Sequence, residues 1–135
     1  MFNRLNPQQA HVTIASVATN ASAMSLPCFI AARAGQAVGL RFAASTSQPA
    51  ATTVASGLTI TVYKNASNAA SVVGTFNTSG TGVAAGATAA GVMATTVSKF
   101  AAGDTLIVEA TGGIAMGSTL SSVVTVEYVY GYETN

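Results

Sequence analysis

Side chains that could act as nucleophiles, general bases or metal ligands are scarce in this chain. It holds one histidine (His11), one cysteine (Cys28), one aspartate (Asp104) and three glutamates in 135 residues. Acid–base or nucleophilic catalysis needs a nucleophile, a base and an orienting group close together, and no GxSxG motif is present to supply a serine for His11. Cys28 has apolar neighbours and is expected to be a buried apolar side chain. We therefore expect no enzymatic activity, no catalytic residue and no cofactor.

The sequence also lacks the residue spacings that are typical of metal sites and nucleotide sites. Asp104 and Glu109 are five residues apart, so on one strand their side chains would project to opposite faces. Asp104 is instead expected to shape the turn before its strand. The DxDxDG spacing of a calcium loop is absent, and Gly80, Gly82 and Gly86 lack the GxGxxG spacing of a dinucleotide site. We predict no metal site and no nucleotide site.

Few residues are charged. Charged residues make up 7% of the chain, hydrophobic residues make up 50%, and the formal net charge is +1. A surface covered mainly by Ser, Thr, Ala, Asn and Gly favours association, which indicates a protein that is covered by partners. The Lys and Arg residues are spread along the chain without the basic stripe of nucleic-acid-binding proteins. No apolar run reaches the ~18 residues of a membrane helix, so we expect neither nucleic acid nor a membrane as partner.

Alternation of apolar and polar residues with period two is the dominant pattern, and it predicts half-buried strands. Weaker alternation predicts five further strands, at residues 10–19, 25–32, 71–77, 90–99 and 104–111. Eight short strands separated by turns predict an all-β fold with a single β-sandwich, an eight-stranded jelly roll. The three clearest strands alternate at Leu58, Ile60 and Val62; at Val38, Leu40 and Phe42; and at Val124, Val126, Tyr128 and Tyr130.

The predicted domain covers residues 11–131, between an N-terminal arm at 1–10 and a C-terminal tail at 132–135. The arm has little that could form a core, and we expect it to reach a neighbouring subunit. Residues 78–91 are low in complexity and predict a long exposed loop or a weak hairpin. The candidate contact residues of the arm are Phe2, Arg4, Leu5 and Pro7.

Three tyrosines share one face of the last strand and its extension: Tyr128, Tyr130 and Tyr132. They could form an aromatic strip for contact with a sugar or a protein. The alternative is that they fill the interior of the sheet or its rim.

Three segments resemble a β-sandwich module that recurs in phage virion proteins and in phage-derived fibre or adhesin proteins. They are GLTITVYKNAS at 57–67, FAAGDTLIVEAT at 100–111 and SSVVTVEYVY at 121–130. The module has an alternating strand that ends in a Lys/Arg-Asn turn, a Phe/Val-x-Ala-Gly-Asp strand entry and an aromatic final strand, in that order. Ala66 departs from the glycine usual at that point and predicts a longer turn.

The small size, the polar N-terminal arm and the sparse charge also resemble capsid decoration, or cement, proteins of tailed phages. This resemblance implies a virion structural protein that is assembled in the host cytoplasm and stabilises the outer capsid surface. Its implied partners are the major capsid protein and further copies of itself, in a trimer. The alternative is a phage tail fibre or receptor-binding module that recognises cell-surface glycans. A tail or connector component fits the composition equally well.

Overall fold

A computed structural model describes residues 7–17, 24–45, 47–48, 50, 57–94, 97–112 and 120–131. Within these ranges the regular structure is β-strand apart from one 3-10 turn at Ala69–Ser71, and no helix there is long and apolar enough to cross a membrane. The strands are β1 (Gln8–Val17), β2 (Met24–Ile30), β3 (Gly35–Ala44), β4 (Thr59–Lys64), β5 (Val72–Asn77), β6 (Thr88–Ala90), β7 (Val92–Met93), β8 (Lys99–Phe100), β9 (Thr105–Thr111) and β10 (Leu120–Tyr130).

These strands form two antiparallel sheets that pack face to face, which confirms the predicted β-sandwich. Sheet 1 has the order β1-β10-β3-β6, with β8 also paired to β3, and sheet 2 has the order β2-β9-β4-β5-β7. Consecutive strands alternate between the sheets, except for β4 and β5, which pair with each other as a hairpin. Most strand pairs are therefore distant in sequence.

Apolar side chains from both sheets meet between them and form the main core. Phe42 of β3 stacks on Phe76 of β5, with ring centroids 5.0 Å apart, and so joins the two layers directly. Burying one Val, Leu or Ile side chain contributes about 1.5–3 kcal/mol, so this set supplies the main driving force for folding. The largest fully buried side chains are Phe42, Ile14, Leu40, Leu58, Ile60, Leu106, Val62, Val73, Val108 and Val124.

Strand prediction is confirmed for the long strands and is wrong for residues 90–99. That segment is not one strand but contains β7 and the start of β8, and β6 ends just before Gly91. The amide of Gly91 donates to Leu40 O in sheet 1, whereas the amide of Ala94 donates to Val73 O in sheet 2, both at 2.8 Å. The chain therefore crosses between the sheets here, which interrupts any continuous ladder.

The segment at 78–91, predicted to be a loop or weak hairpin, is partly paired along the edge of sheet 1. Val83 and Gln48 exchange two backbone hydrogen bonds of 2.8 and 2.7 Å, and the amide of Gly86 donates to Ala44 O at 2.9 Å. The end of the segment forms β6, which pairs with β3. Most of its side chains are nevertheless exposed, as predicted.

Val38 is wrongly predicted to point into the core, because a β-bulge interrupts the alternation of β3. The register between β3 and β10 shifts between the pair Gly39–Glu127 and the pair Ala37–Tyr128. A bulge places one extra residue on one strand, so the inward positions move by one. Ala37 is consequently buried, and Val38 is 45% exposed.

The first strand begins at Gln8 and pairs with β10, so residues 8–10 belong to sheet 1 and not to an arm. Pro7, one of the candidate contact residues, is exposed directly before this strand. The other candidate positions of the arm and the last tyrosine, Phe2, Arg4, Leu5 and Tyr132, lie outside the described residues.

Candidate functional site

The outer face of sheet 1, which we call the sheet 1 face, is built by the longest strands of the molecule. Successive side chains of a strand point to opposite faces, so every second residue of β1 and β10 points away from the core. The strand registers align these outward residues in rows across the sheet. The face consists of Gln9, His11 and Thr13 from β1; Val123, Thr125 and Glu127 from β10; Arg41 and Ala43 from β3; and Thr88 and Ala90 from β6.

The single histidine of the chain lies on the sheet 1 face, opposite Thr125 of the neighbouring strand. His11 Nδ1 is 2.8 Å from Thr125 Oγ1, and the pair is exposed. A hydroxyl nucleophile activated by histidine also uses a third group that orients the imidazole. Glu127, on the same face of β10, is instead 3.3 Å from Arg41 Nε. We therefore assign the His11–Thr125 contact to cross-strand pairing.

Charge on the sheet 1 face is balanced within the face. The Arg41 and Glu127 side chains are 56% and 25% exposed, and an exposed ion pair of this kind contributes about 0–1 kcal/mol to stability. Its main effect is that the face carries no net charge when His11 is neutral. Val123, beside this pair, is 42% exposed. The face therefore presents hydroxyl, amide and small apolar groups around one compensated ion pair.

Two of the three tyrosines predicted to share a face belong to an aromatic cluster at one end of the sandwich. Tyr128 stacks on Phe29 with ring centroids 4.5 Å apart, and Tyr130 meets Phe100 edge-on at 6.2 Å. Tyr128 is 9% exposed, and its hydroxyl donates to Gln8 Oε1 at 3.3 Å. Burial raises the pKa of the Tyr128 phenol. Tyr128 thus fills the interior of the sandwich, and Tyr130 lies at its rim. This arrangement corresponds to the alternative in which the tyrosines pack within the fold.

Asp104 shapes the turn before β9, as predicted. Its Oδ2 accepts a hydrogen bond from the amide of Ala101, and its Oδ1 accepts one from Asn65 Nδ2, both at 2.8 Å. The hydrogen bond from Asn65, followed by the one from Ala101, holds the pKa of the Asp104 carboxyl below its usual range. Asn65 has φ +65°, a left-handed conformation that asparagine tolerates well. The turn that begins at Asn65 connects β4 to β5 and extends over residues 65–71.

A polar network around Glu109 on the outer face of sheet 2 was not found from the sequence. Glu109 Oε2 accepts hydrogen bonds from Ser67 Oγ at 2.6 Å and Ser25 Oγ at 3.1 Å, and Oε1 accepts one from Tyr63 at 3.4 Å. These donors come from β2, β4 and the turn after β4, so the carboxylate ties three segments together. The outward position of Glu109 was predictable from the alternation along β9. Its hydrogen-bond donors were not, because they depend on which strands are neighbours in the sheet.

The other reactive side chains that the structure describes do not form a cluster. Cys28 is half-buried against the core, and burial raises the pKa of its thiol to about 11. Such a thiol is protonated near neutral pH and is therefore a poor nucleophile. Within the ranges that the structure describes, no group of three or more His, Cys, Asp or Glu side chains could hold a metal ion.

Comparisons of the chain with protein-family models, with curated proteins and with solved structures found no match. The function proposed for the chain therefore rests on its own residues and on the motifs of its strands.

Proposed function

We propose that the protein is a virion structural protein that binds and stabilises a phage capsid as a decoration protein. The observation that carries this proposal is the sheet 1 face, a broad surface on which Arg41 and Glu127 compensate each other and Val123 is exposed. The centres of protein interfaces are depleted of uncompensated charge, and they bury apolar groups. A face of this composition suits permanent contact with another protein surface.

The strand order supports a jelly roll, which is one particular arrangement of the strands in a β-sandwich. Two four-stranded layers, β1-β10-β3-β6 and β2-β9-β4-β5, are interleaved along the chain, and the short strands β7 and β8 are additions. Eight strands in two such layers are the jelly-roll arrangement found in viral capsid proteins and in lectins. This support is an analogy at the level of the fold.

The proposed partners follow from the resemblance of the small size, the polar N-terminal arm and the sparse charge of the chain to capsid decoration proteins. We propose that the major capsid protein is the partner and that the chain assembles as a trimer on the outer capsid surface. Binding many sites on a lattice stabilises it by mass action, and this requires buried interface area and no chemical step.

Co-sedimentation with capsid shells tests this proposal. Purified protein is mixed with shells assembled from the major capsid protein of the same phage, and the pellet is assayed for the chain. Light scattering on the free protein gives its mass. The proposal predicts a trimer that pellets with the shells and saturates them at a fixed stoichiometry.

Two matched variants test the role of the sheet 1 face. Val123→Lys places an uncompensated charge in that face, whereas Val92→Lys makes the same change at an exposed valine of β7 in sheet 2, which is 75% exposed. Val123→Lys should lower shell affinity at least tenfold, because the lysine charge would be desolvated in the contact. Equal binding by both variants would exclude this face as the contact surface.

A further inference from the structure

The sheet 1 face has a small pocket over Ala43 of β3. Ala43 lies opposite Val123 of β10 on one side and opposite Thr88 of β6 on the other. Arg41, two residues away on β3, points to the same side of the sheet. Because alanine has the smallest of these side chains, the larger ones enclose a space of about 130 Å³, which we call the Ala43 pocket. Its other lining residues are Gln9, Phe42 and Thr125.

The backbone at the floor of the Ala43 pocket is already engaged in the sheet. The amides of Gly91 and Gly86 donate to Leu40 O and Ala44 O, so even-numbered residues in this stretch of β3 bond toward β6. Ala43 therefore bonds in the other direction, toward β10. The Ala43 side chain has no polar atom, so a polar group pressed against this floor would lose its hydration without gaining a partner there.

The charge in the wall of the Ala43 pocket is compensated. Arg41 Nε lies 3.3 Å from Glu127 Oε1. A carboxylate inserted into the pocket would be attracted by Arg41 and repelled by Glu127, and an ammonium group would experience the reverse. Either ion would also lose its hydration on entering the contact. The pocket therefore favours an uncharged, apolar group.

The volume of the Ala43 pocket matches one side chain of a protein. A water molecule takes up about 30 Å³ in the liquid, so 130 Å³ corresponds to about four heavy atoms. The side chains of leucine and isoleucine each have four carbon atoms. Pockets for free small molecules are larger, about 300–1,000 Å³.

We propose that the Ala43 pocket receives one aliphatic side chain, of leucine or isoleucine, from the major capsid protein. This inference rests on the proposed function and names the residue type that anchors the sheet 1 face. Val123, which is 42% exposed, supplies an apolar wall. Gln9 and Thr88 are exposed beside it and can exchange hydrogen bonds with the partner's backbone. An apolar anchor in a pocket with a polar surround is typical of the residues that carry most of the energy of an interface.

Filling the pocket tests the proposal in the co-sedimentation assay with shells. Ala43→Leu places four carbon atoms in or over the pocket without changing any charge, and it should lower shell affinity at least tenfold. Ala43→Ser leaves the pocket open and should bind within about threefold of the unmodified chain. Ala43→Val should give an intermediate loss, which keeps the test valid if leucine destabilises the chain. A thermal melt shows whether each variant is folded.

Ala102→Leu is the matched control. Ala102 is exposed in the turn before β9, off the sheet 1 face, so this variant adds the same apolar side chain elsewhere. It should bind shells as the unmodified chain does.

The capsid side of the contact is tested by replacing exposed leucine and isoleucine residues of the shell with alanine, one at a time. One replacement should weaken binding of the unmodified chain at least tenfold. On shells with that replacement, Ala43→Leu should cause little further loss, because the side chain that it excludes is already absent.

The outcomes separate this inference from the proposed function. Shells that do not bind the unmodified chain would refute the proposed function, and this inference with it. Shells that bind the unmodified chain and Ala43→Leu equally well, or bind Ala43→Leu more tightly, would refute only this inference. The absence of any shell replacement that couples to Ala43→Leu would refute it as well. A changed mass of free Ala43→Leu in light scattering would instead assign the pocket to a contact between copies of the chain.

Discussion

Asn65 and Asp104 are 39 residues apart, and their side chains meet at 2.8 Å, so they join the turn after β4 to the turn before β9. Asn65 adds a second link, because its Oδ1 accepts a hydrogen bond from the amide of Thr105 at 2.8 Å. One side chain thus bonds two consecutive residues, Asp104 and Thr105, where the partner turn leads into β9.

Replacement of Asn65 separates the contribution of its side chain from that of its backbone. Asn65→Gly keeps the left-handed conformation but loses both side-chain hydrogen bonds, and it should lower the unfolding free energy by about 1–2 kcal/mol. Asn65→Ala also has to place a Cβ at φ +65°, which should cost roughly 1 kcal/mol more. Chemical denaturation checks both values, and an alanine variant as stable as the glycine variant would contradict the role of φ.

The Asp104 carboxylate should make stability depend on pH. Its pKa is lowered in the folded state, first by the hydrogen bond from Asn65 and then by that from Ala101. The stabilisation is therefore present above the ordinary pKa of 3.8 and is lost as the pH falls through the lowered value. The unmodified chain should lose its stability advantage over Asp104→Asn as the pH falls below 3.8 and through the lowered pKa of the folded state. Denaturation curves at several pH values measure the difference in unfolding free energy between the two proteins. A difference that does not change with pH would show that the Asp104 carboxylate does not stabilise the fold through its lowered pKa.

The alternation of apolar and polar residues was sufficient to predict the long strands, because every second side chain of such a strand is buried. Ile60 and Val62 are buried where their alternation predicts it. The burial of Val38 was predicted wrongly because a β-bulge shifts the alternation of β3. A bulge depends on the pairing with the partner strand, so the sequence of β3 alone does not reveal it. β6 was missed, and β7 and the start of β8 were merged into one predicted strand, because two or three residues are too few to show a period.

The candidate sites were harder to predict, because they depend on strand order. Lys64 and Lys99 are 35 residues apart in the sequence and lie in different sheets, and only the packing of the two sheets brings Lys64 Nζ to the backbone oxygen of Lys99. The network around Glu109 has the same origin, since its donors come from separate strands. Asp104 was predictable because the turn that it shapes immediately precedes its own strand.

Gly35 should not tolerate any side chain. A Cβ at this position would overlap the backbone oxygen of Val129 and lie 2.8 Å from the ring of Phe100. Gly35→Ala should therefore destabilise the fold by about 2–3 kcal/mol, as overpacking does. Gly80→Ala is a useful comparison, because its Cβ meets nothing within 4 Å and only the positive φ is unfavourable. A thermal melt in which Gly35→Ala is the more stable variant would contradict the close packing of Val129 and Phe100 against Gly35.

Tyr128 should act through packing and not through contact with a ligand. Tyr128→Ala removes a buried ring that stacks on Phe29 and should cost about 3–5 kcal/mol. Tyr128→Phe keeps the ring and loses the hydroxyl, which contacts Gln8 and Tyr130, and should cost about 1 kcal/mol. Binding of Tyr128→Phe to shells should equal that of the unmodified chain. A folded Tyr128→Phe variant that no longer binds shells would instead identify this residue as a contact.

The proposed stabilisation of a capsid can be measured as a change in the melting temperature of capsid shells. Shells are heated with and without saturating protein, and with the Val123→Lys and Val92→Lys variants at the same concentration. The unmodified chain and Val92→Lys should raise the melting temperature of the shell by several degrees, and Val123→Lys should raise it much less. A shell that melts at the same temperature with and without the chain would rule out the proposed role.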